Sequence, residues 1–164
     1  MDRFEQIYAD NYKSVYAFLL KLCRDPHVAE DLTQETFCQA YSSMYRYSGN
    51  CKMFTWLAAI AKNVFLKYLR KMKQESLVID LYIDEPDAPI TDEPGYRLMK
   101  EVEISEVRKA IRSLPRKYSD VLILRIYGDL SYDEIARKLG ISVNSAKVIF
   151  YRAKKQIKEI LFND

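Results

Sequence analysis

Glycine and proline are scarce in this chain of 164 residues, at 4 and 5, which argues against an architecture of strands joined by many tight turns. Cysteine is scarcer still. Cys23, Cys38 and Cys51 are odd in number and none belongs to a CxxC pair, so neither a disulfide framework nor a zinc site is indicated. No apolar run reaches the roughly 18 residues that a membrane span needs. The opening MDRFEQIYADNYK has acids where a signal peptide needs a basic stretch and an apolar core. The expectation is a cytoplasmic chain with no direct membrane insertion.

What remains is rich in Leu, Ala, Lys, Arg, Glu and Gln, all good helix formers, together with 13 tyrosines. An all-α fold is expected. The net charge of +3 hides an uneven distribution. Between Ser76 and Tyr96 stand Asp80, Asp84, Glu85, Asp87, Asp92 and Glu93 without one Lys or Arg, while residues 1–75 hold 11 bases against 8 acids and residues 97–164 hold 15 against 9. Pro86, Pro89, Pro94 and Gly95 fall in the same acidic stretch, where no helical period is sustained. The chain therefore reads as two small helical domains, 1–75 and 97–164, joined by an acidic flexible linker, 76–96.

In the C-terminal block, Ser131 followed by Glu134 is a capping box, and Ile135 and Leu139 share one face before Gly140 offers a left-handed stop. Ser142 can cap a second helix. Along it Val143, Ala146, Ile149, Phe150, Ala153, Ile157 and Ile160 recur at helical spacing as a buried stripe, with Asn144, Lys147, Val148, Tyr151, Lys154, Lys155 and Lys158 opposite. From Ile135 to Lys158 there are seven bases and no acid. Such a pair is either a helix-turn-helix whose second helix enters a DNA major groove or an ordinary helical hairpin with a solvated face.

The N-terminal block contains AEDLTQETF, residues 29–37, which places Asp31, Gln34 and Glu35 on one helical face. That face suits a partner protein or simply water. Paired carboxylates also bring acid-base chemistry to mind, but no nucleophile, metal-ligand cluster or glycine-rich phosphate loop accompanies them. Residues 41–73 then interleave Tyr41, Tyr45, Tyr47, Phe54 and Trp56 with Arg46, Lys52, Lys62, Lys67, Arg70, Lys71 and Lys73, broken by Ser48, Gly49 and Asn50. Aromatic rings stack on unpaired bases while neighbouring cations hold phosphates, although several of these rings are equally suited to a core.

In order and spacing, AEDLTQETF, MFTWLAAIAKN and LPRKYSDVLILRIYGDLSYDEIARKLGISVNSAKVIFYRAKKQI resemble an extracytoplasmic-function (group 4) bacterial RNA polymerase sigma factor across nearly the whole chain. The resemblance implies region 2 and region 4 domains that bring polymerase core enzyme to promoters, with no catalysis and no cofactor or metal of their own. Implied partners are the beta-prime and beta subunits of the core, promoter DNA, and an anti-sigma factor, often membrane-bound in the family.

By matching position, the resemblance assigns Asp31, Gln34 and Glu35 to core-polymerase binding. It assigns Ser48, Gly49, Asn50, Lys52, Phe54 and Asn63 to the −10 element, and Arg125, Asn144, Ser145, Lys147, Tyr151 and Arg152 to the −35 element. Met53, Phe54, Lys67, Val148 and Ile149 depart from the usual pattern, so promoter preference is not carried over from relatives. Ala59 and Ile60 stand where housekeeping sigma factors have a tryptophan pair used in melting DNA. The acidic linker is similar to an element threaded through the polymerase, where six acids could imitate a nucleic-acid backbone. A free-standing helix-turn-helix regulator is the alternative; it leaves AEDLTQETF without a task. A nuclease built on Asp31 and Glu35 lacks a further carboxylate to complete a metal site.

Overall fold

Glu5 reaches back to the Asp2 backbone N–H at 3.3 Å and opens helix α1, Arg3–Cys23, which stops where Arg24 turns left-handed at φ 59°. Asp25 then caps α2, Pro26–Ser42, by accepting from the N–H groups of His27 and Val28, with Pro26 at a position whose missing N–H costs nothing. A short 3-10 turn, Met44–Arg46, leads through a loop to α3, Met53–Ile79. The second half holds α4 (106–113), α5 (Arg116–Ile126), α6 (Tyr132–Leu139) and α7 (Val143–Phe162). The computed structural model describes residues 2–79 and 106–162, the side chains of 73–79 excepted, and every regular element among them is helical. None of the described helices is long and apolar enough to cross a membrane.

Helices α1, α2 and α3 pack mutually, as do α5, α6 and α7. Val15, Phe18 and Leu19 of α1 meet Phe37 and Ala40 of α2 and Leu57, Phe65 and Leu69 of α3. Each large apolar side chain buried in this way contributes about 1.5 to 3 kcal/mol relative to exposure. Thr33 and Thr36 are buried without loss, because their hydroxyls donate to the carbonyls of Ala29 and Leu32. A second cluster forms around Val121, Leu124, Leu130, Ile135 and Ala146.

The two halves also pack on each other. Ile111, Leu114, Leu122 and Ile123 join the core of the first half, while Ala58 of α3 is buried in the cluster of the second. Gly128, between α5 and α6, lies where any Cβ would come within 2.8 Å of the Leu124 carbonyl and 3.4 Å of the Phe18 ring. Only glycine permits that approach.

Helix α3 continues to Ile79, through residues 76–79 of the expected linker, with no proline before Pro86; from Asp80 onward the linker lies outside the described residues. One expectation needs correction. The buried stripe of α7 is narrower than its spacing predicts. Ala146 and Ala153 are buried, Val143, Ile149, Phe150 and Ile157 are half-buried, and Ile160 is 41% exposed where α7 outruns the helices it packs on.

Candidate nucleic-acid interface

Helix α2 presents Asp31, Gln34 and Glu35 to solvent while Leu32, Thr33, Thr36 and Phe37 point into the core, as the i, i+3, i+4 spacing demands. Gln34 donates to the Tyr8 hydroxyl at 3.1 Å, and Glu35 accepts from Gln39 at 3.0 Å. Phe4, Tyr8 and Tyr12 contact Phe37 behind this face with centroids 4.8 to 6.4 Å away. That backing fixes α2 on α1 and leaves Asp31 and Glu35 exposed.

The loop between the 3-10 turn and α3 is closed by the Tyr47 hydroxyl, which donates to the Cys51 carbonyl at 2.7 Å, and Tyr47 packs on the buried Trp56. Gly49 takes the left-handed conformation at φ 82°. Ser48, Gly49, Asn50 and Lys52 are exposed and Phe54 is half-buried. Asn63 stands nine residues beyond Phe54, roughly 13 Å along the helix. It lines a separate open cleft of about 620 Å³ with Glu35, Cys38, Gln39, Arg46 and Ile60. The expected −10 residues therefore split between the loop and a cleft that also borders Glu35.

Lys62, one residue before Asn63, is buried and paired with Asp120 of α5 at 3.1 Å. Burial pushes its ammonium below the ordinary lysine range, against the opposing pull of Asp120. Arg116 bridges the same region, donating to the Asn63 side chain and to Asp120. Thr55 donates to Glu134 at 3.0 Å. Thr55, Asp120 and Arg116 were not expected at any site: partners from distant segments leave no periodic signal.

The C-terminal pair is built as its caps predict. The Ser131 hydroxyl accepts from the Glu134 N–H at 3.1 Å, Glu134 accepts from the Ser131 N–H at 3.3 Å, and Gly140 turns left-handed at φ 69°. The Ser142 hydroxyl accepts from the Ser145 N–H at 3.0 Å at the start of α7. Asn144, Ser145, Lys147, Tyr151 and Arg152 are all exposed, Tyr151 by 70%. Arg125 differs: half-buried, it donates to the Leu130 carbonyl at 2.9 Å and lies 4.7 Å from the Tyr132 ring centroid, with Lys147 over the same ring at 6.0 Å. These cation-π contacts tie α5, α6 and α7 together beneath the exposed face. A helix face carrying Lys147, Lys154, Lys155 and Lys158, with Arg152 at its edge and no acid on α7 before Glu159, can meet a polyanion.

Residues 7–75 match the family described as Sigma-70 region 2, and residues 104–157 match Sigma-70, region 4. The chain is 34% identical over 157 residues to the ECF RNA polymerase sigma factor SigM of Bacillus subtilis, covering 95% of this chain and 93% of that protein. It is 28% identical to the RNA polymerase sigma factor YlaC of the same organism, covering 96% and 91%. In fold it resembles the sigma factor RpoE in its complex with the anti-sigma factor NepR from Bartonella quintana, with a TM-score of 0.58 at 22% identity and coverage of 100% and 99%. With both regions matched in order and a relative of this identity spanning nearly its full length, the chain belongs to the ECF RNA polymerase sigma factors.

Proposed function

We propose that this alternative sigma factor divides promoter-specific initiation between its two halves as follows. Region 2, within 1–75, binds the polymerase core through Asp31, Gln34 and Glu35 on the beta-prime subunit. It takes the −10 element on Ser48, Gly49, Asn50, Lys52, Phe54 and Asn63. Region 4, within 97–164, meets the beta subunit and reads the −35 element through Asn144, Ser145, Lys147, Tyr151 and Arg152, with Arg125 supporting that helix face. The acidic stretch within 76–96 joins them. The protein works in the cytoplasm by binding, without catalysis of its own.

The observation that carries this reading is the presence of both regions in one chain, each with an exposed face of suitable chemistry. A free-standing helix-turn-helix regulator leaves the α2 face unexplained. RpoE in complex with NepR, and CnrH in complex with the cytosolic domain of CnrY, are similar in fold, and an anti-sigma partner is proposed here also.

Run-off transcription with purified core enzyme on genomic fragments tests the function: new start sites that appear only with this protein support it, and unchanged initiation overturns it. Glu35→Lys tests the core contact. It is expected to leave helicity unchanged and to weaken core binding at least tenfold, about 1.4 kcal/mol, in competition with a second sigma factor; full retention of affinity would remove α2 from that role.

A further inference from the structure

A cavity of about 270 Å³ opens where α3, α4 and α5 meet. Leu66, Ile111 and Leu114, all buried, form its apolar base, and Arg70, Arg112 and Arg116 stand around it with no acid among the lining residues. Ser119 also lines it; buried itself, it commits its hydroxyl proton to the Arg116 carbonyl at 3.0 Å. The guanidiniums are therefore the side-chain donors that the cavity offers. We propose that it binds a small polyphosphate anion, free or carried by a nucleotide, on Arg70, Arg112 and Arg116.

Like charges gathered around one cavity repel unless an anion offsets them. Asp120, beside the cavity, already serves two cations, Lys62 at 3.1 Å and Arg116 at 2.9 Å. Arg70, exposed, and Arg112, half-buried, have no ion pair, side-chain hydrogen bond or ring contact among the described residues. The positive surplus is felt at Lys62: burial is the largest cause of its lowered ammonium, and Arg116 and Lys138 lower it further. An anion in the cavity would offset charge that one carboxylate leaves unbalanced.

The donor set names the chemistry of that anion. A guanidinium is a planar fork that meets phosphoryl oxygens in pairs, which a lysine point charge does not. Three forks match an anion with two or more phosphoryl groups better than one with a single charge. Small-molecule sites usually span about 300 to 1,000 Å³, so this smaller cavity has room for phosphoryl groups and not for a length of nucleic acid. The apolar base can carry the flat face of a nucleobase. None of Arg70, Arg112 and Arg116 is among the residues assigned above to polymerase or promoter, so the site stands apart from those surfaces. Because α3 supplies one wall and α4 and α5 the others, a ligand held here binds the folded chain alone and raises its melting temperature.

Isothermal titration calorimetry of the full chain with inorganic pyrophosphate, inorganic orthophosphate and ADP, in magnesium-free buffer, tests the site. The parent is compared with a chain carrying Arg70→Gln and Arg112→Gln, and with a control carrying Lys13→Gln and Lys21→Gln, which removes equal charge from exposed positions on α1. The parent is expected to bind pyrophosphate at least about tenfold more tightly than orthophosphate, the control to match it, and the arginine variant to bind about tenfold more weakly. At a hundredfold excess of pyrophosphate over its dissociation constant, the melting temperature of the parent should rise by about 5 to 10 °C, and that of the arginine variant by about half as much. ADP bound more tightly than pyrophosphate identifies a nucleotide with its base on the apolar floor; equal or weaker binding identifies the free polyphosphate. Circular dichroism checks helicity, and if the double variant loses it, Arg70→Gln alone, at an exposed position, is expected to weaken pyrophosphate binding about threefold. No binding by the parent, equal affinity for the two inorganic anions, or affinity that survives loss of the arginines overturns the proposal.

Discussion

At the residue scale, the two sides of α7 separate folding from recognition. Phe150 sits edge-on to Tyr132 with ring centroids 5.9 Å apart and is half-buried, whereas Lys147 one turn earlier is exposed. A fully buried ring costs about 3 to 5 kcal/mol on truncation to alanine, so Phe150→Ala, which empties only a partly covered site, is expected to cost about 2 kcal/mol. Lys147→Ala is expected to cost at most about 1 kcal/mol in unfolding, through its contact with the Tyr132 ring, and to weaken promoter binding instead. If Lys147 meets a base edge the loss is about 1 to 3 kcal/mol and specificity relaxes; if it meets phosphate, all sequences weaken alike and the salt dependence flattens. Thermal unfolding and promoter binding at several salt concentrations distinguish these outcomes, and melting by Lys147→Ala would reverse the assignment of faces.

At the element scale, the local signals were readable and the tertiary ones were not. Ser131, Glu134, Gly140 and Ser142 mark the boundaries of α6 and α7 because a cap is a contact between residues three or four apart. The exposure of Ile160 and Phe162 depends instead on where neighbouring helices end, which spacing along α7 does not record. Glu134 does both jobs, capping α6 and accepting from Thr55 on α3. Burial pushes its carboxyl up, but hydrogen bonds from the Ser131 N–H, the Thr55 hydroxyl and the Ser131 hydroxyl outweigh this and hold it below the ordinary 4.5. Since the folded value is the lower one, the stabilisation is present above pH 4.5 and is lost as pH falls through the folded value. Denaturant unfolding of the parent and Glu134→Gln should therefore differ at about pH 7 and converge as pH falls below the folded value. An equal difference at both would mean that the carboxylate charge plays no part in this tie. In the turn itself, Gly140 has open space around its missing Cβ, so Gly140→Ala is expected to cost only the left-handed strain of about 1 to 2 kcal/mol, measured by the same unfolding curves.

At the scale of the whole molecule, two helical halves with an acidic stretch between them follow from composition and charge, whereas their packing on each other does not. AAIAKN on α3 reads as core followed by a phosphate-binding lysine, yet Ala58 is buried against the other half and Lys62 is held by Asp120. Nothing in the spacing near Asp120 announces that partner 58 residues away. The shared core has a thermodynamic consequence. Because Ile111, Leu114, Leu122 and Ile123 pack into the cluster built by α1, α2 and α3, loss of either half exposes apolar surface on the other. Heat unfolding of the intact chain is therefore expected as one calorimetric transition, with calorimetric and van't Hoff enthalpies in agreement. Asp120→Asn leaves Lys62 buried without its anion, at a cost of about 3 to 5 kcal/mol while the halves stay together. Separation relieves that cost, so the transition should split, with the less stable half melting several degrees lower, at about 2 to 4 °C per kcal/mol for a chain of this size. Two transitions in the unsubstituted protein would show that the contacts across α3 and α5 do not couple the folding of the halves.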